Sequence, residues 1–328
     1  MNRMQSIQAP VAGELETFQG HFKTAMRTDV MLLDRITRYI IKRKGKQMRP
    51  LFVFLTARAV AGSGSELGER SHVAASLIEL LHTATLVHDD VVDESPMRRG
   101  FFSIQALWKK KVAVLVGDYL LSRGLLMAVD REAYDLLKIT SEAVRQMSEG
   151  ELLQIEKARR LDITEAVYFE IIQRKTASLI AACCACGAAS VGADADAVER
   201  MRRFGELVGL AFQIKDDLLD LGDGERIGKP TGGDIRERKM TLPLIHTLQE
   251  ANAQQRRRLI RLVKYRNQDN AAVQEVMDAI LTGPGMDYAR GQMQALTKEA
   301  MALLNPLEES PAKSALIDLV EFTIERKR

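Results

Sequence analysis

Apolar residues recur at helical spacing along nearly the whole chain, and the strict alternation that builds a half-buried strand is absent. Only 8 of the 328 residues are proline, so little interrupts a helix by removing a backbone donor and clashing with the preceding turn. Aromatic residues make up 5%, and Ala, Leu, Met, Glu, Arg and Lys, the strong helix formers, are abundant. The pattern predicts an all-α chain with helices over 14–43, 50–62, 66–94, 103–108, 112–128, 131–160, 164–191, 195–222, 241–265, 270–282, 287–304 and 311–327. Asn305-Pro306 ends one helix, and Ser310-Pro311 opens the next with a cap followed by proline at the first helical position. No linker rich in Pro, Gly or Ser divides the chain, so residues 1–328 read as a single domain. The one long Gly-rich, charged excursion is "GDGERIGKPTGGDIRERK", residues 222–239, and loops of that length inside compact domains are usually functional.

Composition excludes some classes. A chain 46% hydrophobic is ample for a large core. A net charge of +3 suits small anions or a membrane surface and proves neither; no nucleic-acid partner is expected. The N-terminus lacks a basic start followed by an apolar core, so no secretion signal is expected. The longest uncharged run, "TASLIAACCACGAASVGA" at 176–193, is too rich in Ala, Ser, Cys and Gly to partition into lipid and reads as a closely packed buried helix. It holds all three cysteines, Cys183 and Cys186 at CxxC spacing. With no second ligand pair and no thioredoxin-like context they read as small core residues. The expected compartment is the cytoplasm.

Two acidic clusters carry the chemistry. "VHDDVVDESPMRRG" (87–100) holds Asp89, Asp90 and Asp93, with Arg98 and Arg99 close behind. "FQIKDDLLD" (212–220) repeats the spacing at Asp216, Asp217 and Asp220. On a helix, residues i and i+4 share a face while i+1 points away. Asp89 with Asp93, and Asp216 with Asp220, therefore form pairs able to hold a metal, and the middle aspartates support them. Like charges at that spacing destabilise a helix unless a cation compensates. Pro96 and Gly100 end the first helix after Asp93, and Gly222 and Gly224 end the second after Asp220. Both clusters thus lie at helix C-termini, where the macrodipole attracts cations. Hard oxygen ligands with room for water and phosphate suit Mg2+. A single DDxxD is more often a solvated helix end, but two copies, each ending a long apolar helix and followed by basic residues, are not explained that way. His82, seven residues before Asp89 and eleven before Asp93, falls within about 20° of both on the helical wheel.

Basic residues complete the pattern. Lys46 and Arg49 come just before Pro50, where an opening helix would offer backbone N–H groups to an anion. Further cations are Lys175, beside Thr176, and Lys229 and Lys239 in the long loop. The "KKK" at 109–111 and "RRR" at 256–258 read as solvated faces.

Together "LLHTATLVHDDVVDESPMRRG", "VGDYLLSRG", "RKTASL", "FQIKDDLLD" and "GKPTGGDIRERKMTLP" resemble the trans-polyprenyl diphosphate synthases, especially the bacterial long-chain, octaprenyl type. The motifs run in the family's order from about Gly45 to Pro243. The resemblance implies a single large helical bundle around a deep central cavity, usually a homodimer, that joins isopentenyl diphosphate to an allylic diphosphate, farnesyl or geranyl. It implies Mg2+, three ions per active site with substrate bound. Asp89, Asp93 and Asp216 match the metal ligands, and Asp90, Asp217 and Asp220 their supports; with Lys175 and Lys229 these form the catalytic set. Lys46, Arg49, His82 and Arg99 match the isopentenyl diphosphate site. Arg98, Lys175, Thr176, Gln213, Lys229 and Lys239 match contacts to the allylic diphosphate. Two positions depart from the common pattern: Lys44-Gly45 stands where Gly-Gly is frequent, and Arg238 precedes the last lysine where glycine is frequent.

The resemblance also bears on the product. Ala84 and Thr85, about one turn before Asp89, are small and leave the mouth of the cavity open, and Ser122 and Gly124 are expected to keep a deeper path open. The family analogy gives a quinone side-chain precursor of seven or eight isoprene units, with transient membrane association for its delivery. The alternatives are a short-chain farnesyl or geranylgeranyl synthase and an inactive partner subunit. A class I terpene cyclase normally carries an Asn/Ser/Glu pattern in place of DDLLD.

Overall fold

A computed structural model of the chain describes residues 3–42, 47–62, 65–98, 100–160, 163–222 and 232–325, with the backbone alone at 98, 159 and 160. In chain order the helices are α1 (Arg3–Gln8), α2 (Ala12–Ala25), α3 (Met31–Lys42), α4 (Met48–Ala61), α5 (Glu69–Val92), α6 (Ile104–Asp130), α7 (Tyr134–Arg160), α8 (Glu165–Ile172), α9 (Ser178–Ser190), α10 (Ala195–Asp220), α11 (Gly233–Arg236), α12 (Leu242–Glu250), α13 (Ala253–Tyr265), α14 (Asn270–Thr282), α15 (Gly285–Ala302) and α16 (Pro311–Glu325). The all-α expectation holds. Among the described residues the exception is a two-residue hairpin of β1 (Met97–Arg98) and β2 (Phe101–Phe102), with Met97 opposite Phe102.

Where the expected boundaries moved, a local cause is visible. The helix expected over 14–43 breaks after Ala25, where Thr28 Oγ1 accepts the Val30 N–H at 3.3 Å. The helix expected over 241–265 splits at Asn252, whose side chain caps α13 by accepting from Gln254 and Gln255 N–H. The two helices expected on either side of 109–111 form one run, kinked where Lys109 takes φ 71° and ψ 158°. The expected 164–191 helix is interrupted by a π-helical segment, Gln173–Ala177, between α8 and α9. α4 opens at Met48 after a left-handed Gln47, not at Pro50. Proline fits inside the first turn because its missing N–H would have had no intrahelical acceptor there. α16 starts at Pro311 as expected, with Ser310 Oγ accepting the Lys313 N–H at 3.2 Å.

The Cα framework divides into two compact units, one of Met1–Val144, Ala182–Arg202 and Pro306–Leu316, the other of Arg145–Ala181, Arg203–Asn305 and Ile317–Arg328. The divisions fall inside α7, α9, α10 and α16 and between α15 and α16. In the first unit Phe54, Leu55, Leu77, Ile78, Leu80 and Leu120 are wholly buried. α5 and α6 approach so closely there that a Cβ on Gly117 would lie 2.2 Å from His88 Nε2. The three cysteines are buried and unbridged, and burial pushes the Cys184 thiol up to about 12, the behaviour of core residues. The core of the second unit draws on Ile214 and Leu218 of α10, Leu242 and Leu244 of α12 and Val276 and Ile280 of α14. Lys109, Lys110 and Lys111, like Arg256, Arg257 and Arg258, are exposed, as expected.

Candidate active site

The first aspartate cluster closes α5 in the first unit. The helix ends at Asp93, whose N–H donates to the Asp89 carbonyl at 2.8 Å. Asp90 is 4% exposed. Asp89 and His82 are half-buried and Asp93 is exposed. The chain then turns through Glu94 at φ +51°. Gln105, buried at the start of α6, donates from Nε2 to the carbonyls of Asp90 and Ser95. His88 fixes the same end sideways, its Nε2 lying 3.3 Å from the Val114 carbonyl and 3.3 Å from Asp118 Oδ1. Arg49, in the first turn of α4, is joined to α5 by a two-point pair, Nε and Nη2 reaching Glu79 at 2.9 and 3.1 Å. Lys46, Arg99 and the Arg98 side chain lie outside the described residues.

Of the residues expected to set tail length, Ala84 is buried and Thr85 half-buried, with Thr85 Oγ1 donating to the His82 carbonyl at 2.9 Å. Of the residues expected to keep a deeper path open, Gly124 is buried between α5 and α6. Ser122 is exposed, and a Cβ on Gly124 would stand 3.3 Å from Leu77 and 3.4 Å from Leu81. Glycine at 124 lets α6 lie against α5.

The second cluster closes α10 in the second unit. Asp217 is 4% exposed, and both carboxylate oxygens are engaged: Tyr168 OH donates to Oδ2 at 2.7 Å and Gln213 Nε2 to Oδ1 at 3.0 Å. Gln213 in turn accepts from Thr176 Oγ1 at 2.9 Å. Thr176 and Gln213, expected at the allylic diphosphate, are therefore linked to Asp217, expected to support the metal ligands, and the chain of bonds runs back to the π-helical segment that carries Lys175. A π turn is a frequent companion of functional sites. Here Gly150 of α7 makes room for it, since a Cβ there would lie 2.7 Å from the Lys175 nitrogen. The Lys175 ammonium pairs with Glu151 and donates to Gln154 Oε1 at 3.4 Å.

Asp216 is half-buried. Asp220 does not stand open as Asp216's partner. Its oxygens accept the N–H groups of Gly233 at 3.2 Å and Asp234 at 3.0 Å, so that it tethers α11. Asp234 also binds Lys239 at 3.3 Å, and Glu237 reaches the same ammonium at 2.6 Å. Arg238 sits at φ +58°, the left-handed region that favours glycine. The sequence departure noted there is thus a departure at a position whose backbone suits glycine. Lys229 lies outside the described residues.

Burial and charge set the ionisation of this region. Burial, reinforced by Asp234, pushes the Asp217 carboxyl up to about 7, against the pull of Gln213 and Tyr168. Burial first and Asp217 second hold the Tyr168 phenol well above its usual range, so it stays a donor. Burial opposes the charge on Lys239, but Asp234 and Glu237 outweigh it and hold the ammonium above the usual lysine range. Tyr168, Gln105 and Asp234 were not singled out by the sequence. Of these Asp234 left a trace, as the acid just after Gly232-Gly233 at a helix start; a tyrosine 49 positions from its partner left none.

The donor set fits a hard divalent cation. Among the described residues no three His, Cys, Asp or Glu side chains gather into a cage. Mg2+ needs none, since it typically takes one or two carboxylates and fills its octahedron with water and substrate phosphate. In the first unit Asp89 and Asp93, and in the second Asp216, carry oxygens of that kind at a helix C-terminus, and Asp217 and Asp220 accept from protein donors.

Comparison with known proteins agrees with this fold. The chain superimposes on a decaprenyl diphosphate synthase from Rhodobacter capsulatus with a TM-score of 0.91 at 33% identity, covering 99% of both chains. On a polyprenyl synthase from Caulobacter crescentus CB15, complexed with calcium and isoprenyl diphosphate, the TM-score is 0.88 at 32% identity, over 99% of this chain and 98% of that one. The fold is that of the isoprenyl diphosphate synthases. In sequence the chain is 36% identical to the octaprenyl diphosphate synthase of Escherichia coli (strain K12) over 327 residues, 99% of each. The polyprenyl synthetase family model matches residues 30–280, and the chain belongs to that family. It is a prenyltransferase of a metal-dependent family acting on prenyl diphosphates, and the expectation of a long-chain synthase agrees with these relatives.

Proposed function

We propose that the chain is a long-chain trans-polyprenyl diphosphate synthase that extends a farnesyl or geranyl primer with isopentenyl diphosphate to seven or eight units, a quinone side-chain precursor. The observation that carries this is the pair of DDxxD clusters, each at the C-terminus of a long helix, in a chain alike over its full length to long-chain synthases. Asp89, Asp93 and Asp216 would hold Mg2+, three ions with substrate bound, which supplies Lewis-acid neutralisation of the leaving diphosphate. Asp90, Asp217 and Asp220 set the shape of the two clusters. Lys175, Lys229, Lys239, Arg98, Thr176 and Gln213 would bind the allylic diphosphate, and Lys46, Arg49, His82 and Arg99 the isopentenyl diphosphate. A single cation 4 Å from a single anion contributes roughly 4 kcal/mol at an effective dielectric near 20, so the cations act as a set. The allylic C–O bond breaks, the isopentenyl double bond attacks the allylic carbon, and the departing diphosphate takes the proton that restores neutrality. Apolar side chains keep water from the cation.

We further propose a soluble cytoplasmic homodimer that meets membranes transiently to deliver its product. α6 is long and apolar enough to cross a membrane by length and composition, with 33% of its most apolar window buried. It is packed along α5, however, and Val114, Leu115, Leu125, Leu126 and Val129 remain exposed at spacings of 11 and 4 that return to one face. A second copy would cover that face.

Chromatography of dephosphorylated products from isopentenyl and farnesyl diphosphates tests the reading. A tail of seven or eight units is expected, shortened to three or four by Ala84→Phe. A wild type that stops at farnesyl length, or a variant that still makes the full tail, overturns it.

A further inference from the structure

We infer that Gln105 is a positioning residue for the first aspartate cluster; this rests on the reading of Asp89 and Asp93 as metal-holding. A helix end leaves its last carbonyls without intrahelical donors. At the end of α5 the Asp89 carbonyl accepts from Asp93 N–H at 2.8 Å and the Asp90 carbonyl from Ser95 N–H at 3.1 Å. Gln105 adds side-chain contacts to these backbone bonds. Its Nε2 donates to the Asp90 carbonyl and, at 3.0 Å, to the Ser95 carbonyl. Those carbonyls are the two feet of the turn 91–94, which leads through Asp93 and the left-handed Glu94. One side chain therefore bridges the base of the turn that presents Asp93, four positions after Asp89.

Among uncharged side chains only a primary amide can do this from one atom, because it carries two hydrogens on a single nitrogen. A glutamate would set a negative charge against two carbonyls, in a place where the side chain is 9% exposed. A methionine matches the length and donates nothing. An asparagine keeps both donors but is one methylene short. Metal-holding carboxylates must be fixed to within about 0.5 Å to act together. A turn that loses its bridge thus gives up metal affinity before it gives up the fold.

The experiment compares Gln105→Met and Gln105→Asn with Ser103→Ala and Asp93→Ala in the full chain. Ser103 caps the same end of α6, its Oγ accepting the Ala106 N–H at 3.3 Å, but its side chain makes no such bond to the end of α5. Mn2+ binding in the presence of inorganic diphosphate is read by electron paramagnetic resonance, and amide exchange over 91–95 by mass spectrometry. Both Gln105 variants should weaken Mn2+ roughly tenfold, as loss of a residue that orients metal ligands does, and speed exchange of the turn, while Ser103→Ala changes neither. In turnover, the Mg2+ concentration for half-maximal rate should rise with much of kcat regained at saturation. Unchanged Mn2+ binding in both Gln105 variants, or an equal loss in Ser103→Ala, overturns the inference. Asp93→Ala separates the two readings. If it abolishes Mn2+ binding while the Gln105 variants do nothing, the positioning role alone fails; if it too leaves binding intact, the metal-holding reading fails with it.

Discussion

The two aspartate clusters share one spacing and one place on a helix, yet they are held differently. At the end of α5 the contacts that fix the turn run through carbonyls, those of Asp89, Asp90 and Ser95. At the end of α10 they run through carboxylates: Asp217 takes Tyr168 and Gln213, and Asp220 takes two backbone N–H groups of α11. The first arrangement shapes a backbone and leaves Asp93 exposed. In the second, two of the three carboxylates, Asp217 and Asp220, accept from protein donors. A repeated motif thus does not bring repeated contacts at each position, because the elements packed against the two helix ends differ.

The strongest test asks whether the clusters are equal where it matters. Asp89→Ala and Asp216→Ala should each lower turnover by at least about a hundredfold, the scale of removing one group that stabilises developing charge, with circular dichroism unchanged. Near-normal turnover in either would leave a single functional cluster. Tyr168→Phe probes the support peculiar to the second cluster. It leaves one oxygen of a buried carboxylate without its donor and should cost about 1–3 kcal/mol in urea unfolding; a change of a few tenths would show that Asp217 does not depend on it.

Acidity separates the two units as well. In the metal-free protein Asp217 has a folded pKa of about 7 against a usual 3.8. The unfolded chain releases that proton first, so this contribution to stability falls as pH rises from about 4 through about 7. His72 in the other unit works the opposite way. Burial, with His21 adding to it, lowers its pKa below 6.5, so its contribution is lost as pH falls below 6.5. Melting midpoints in chelator between pH 5 and 8 should show Asp217→Asn reducing the loss towards neutral pH, and a slope unaffected by that change would count against the buried carboxyl. The smallest effect concerns the loop after the second cluster. Arg238→Gly relieves a left-handed L-residue but gives the unfolded chain more freedom, for a net gain of about 0.5 kcal/mol. A loss instead would mean that the 3.4 Å contact from Arg238 to Asn267 outweighs the strain.

Much of this molecule could be read locally. The helices, the cap at Ser310 before Pro311, the buried cysteine run and the two acidic helix ends all follow from patterns a few residues long, because periodicity and capping are settled between neighbours in the chain. What only the tertiary structure decided is which groups meet. The π turn at Gln173–Ala177 forms beside Gly150 of another helix. Arg49 finds Glu79, Lys175 finds Glu151, and Lys239 finds Asp234 and Glu237. Gly124, open space in the sequence, is where α5 and α6 touch. Gln105 and Tyr168 carried no local signal, since a polar side chain is assigned its partner by whichever buried group the packing leaves in need of one.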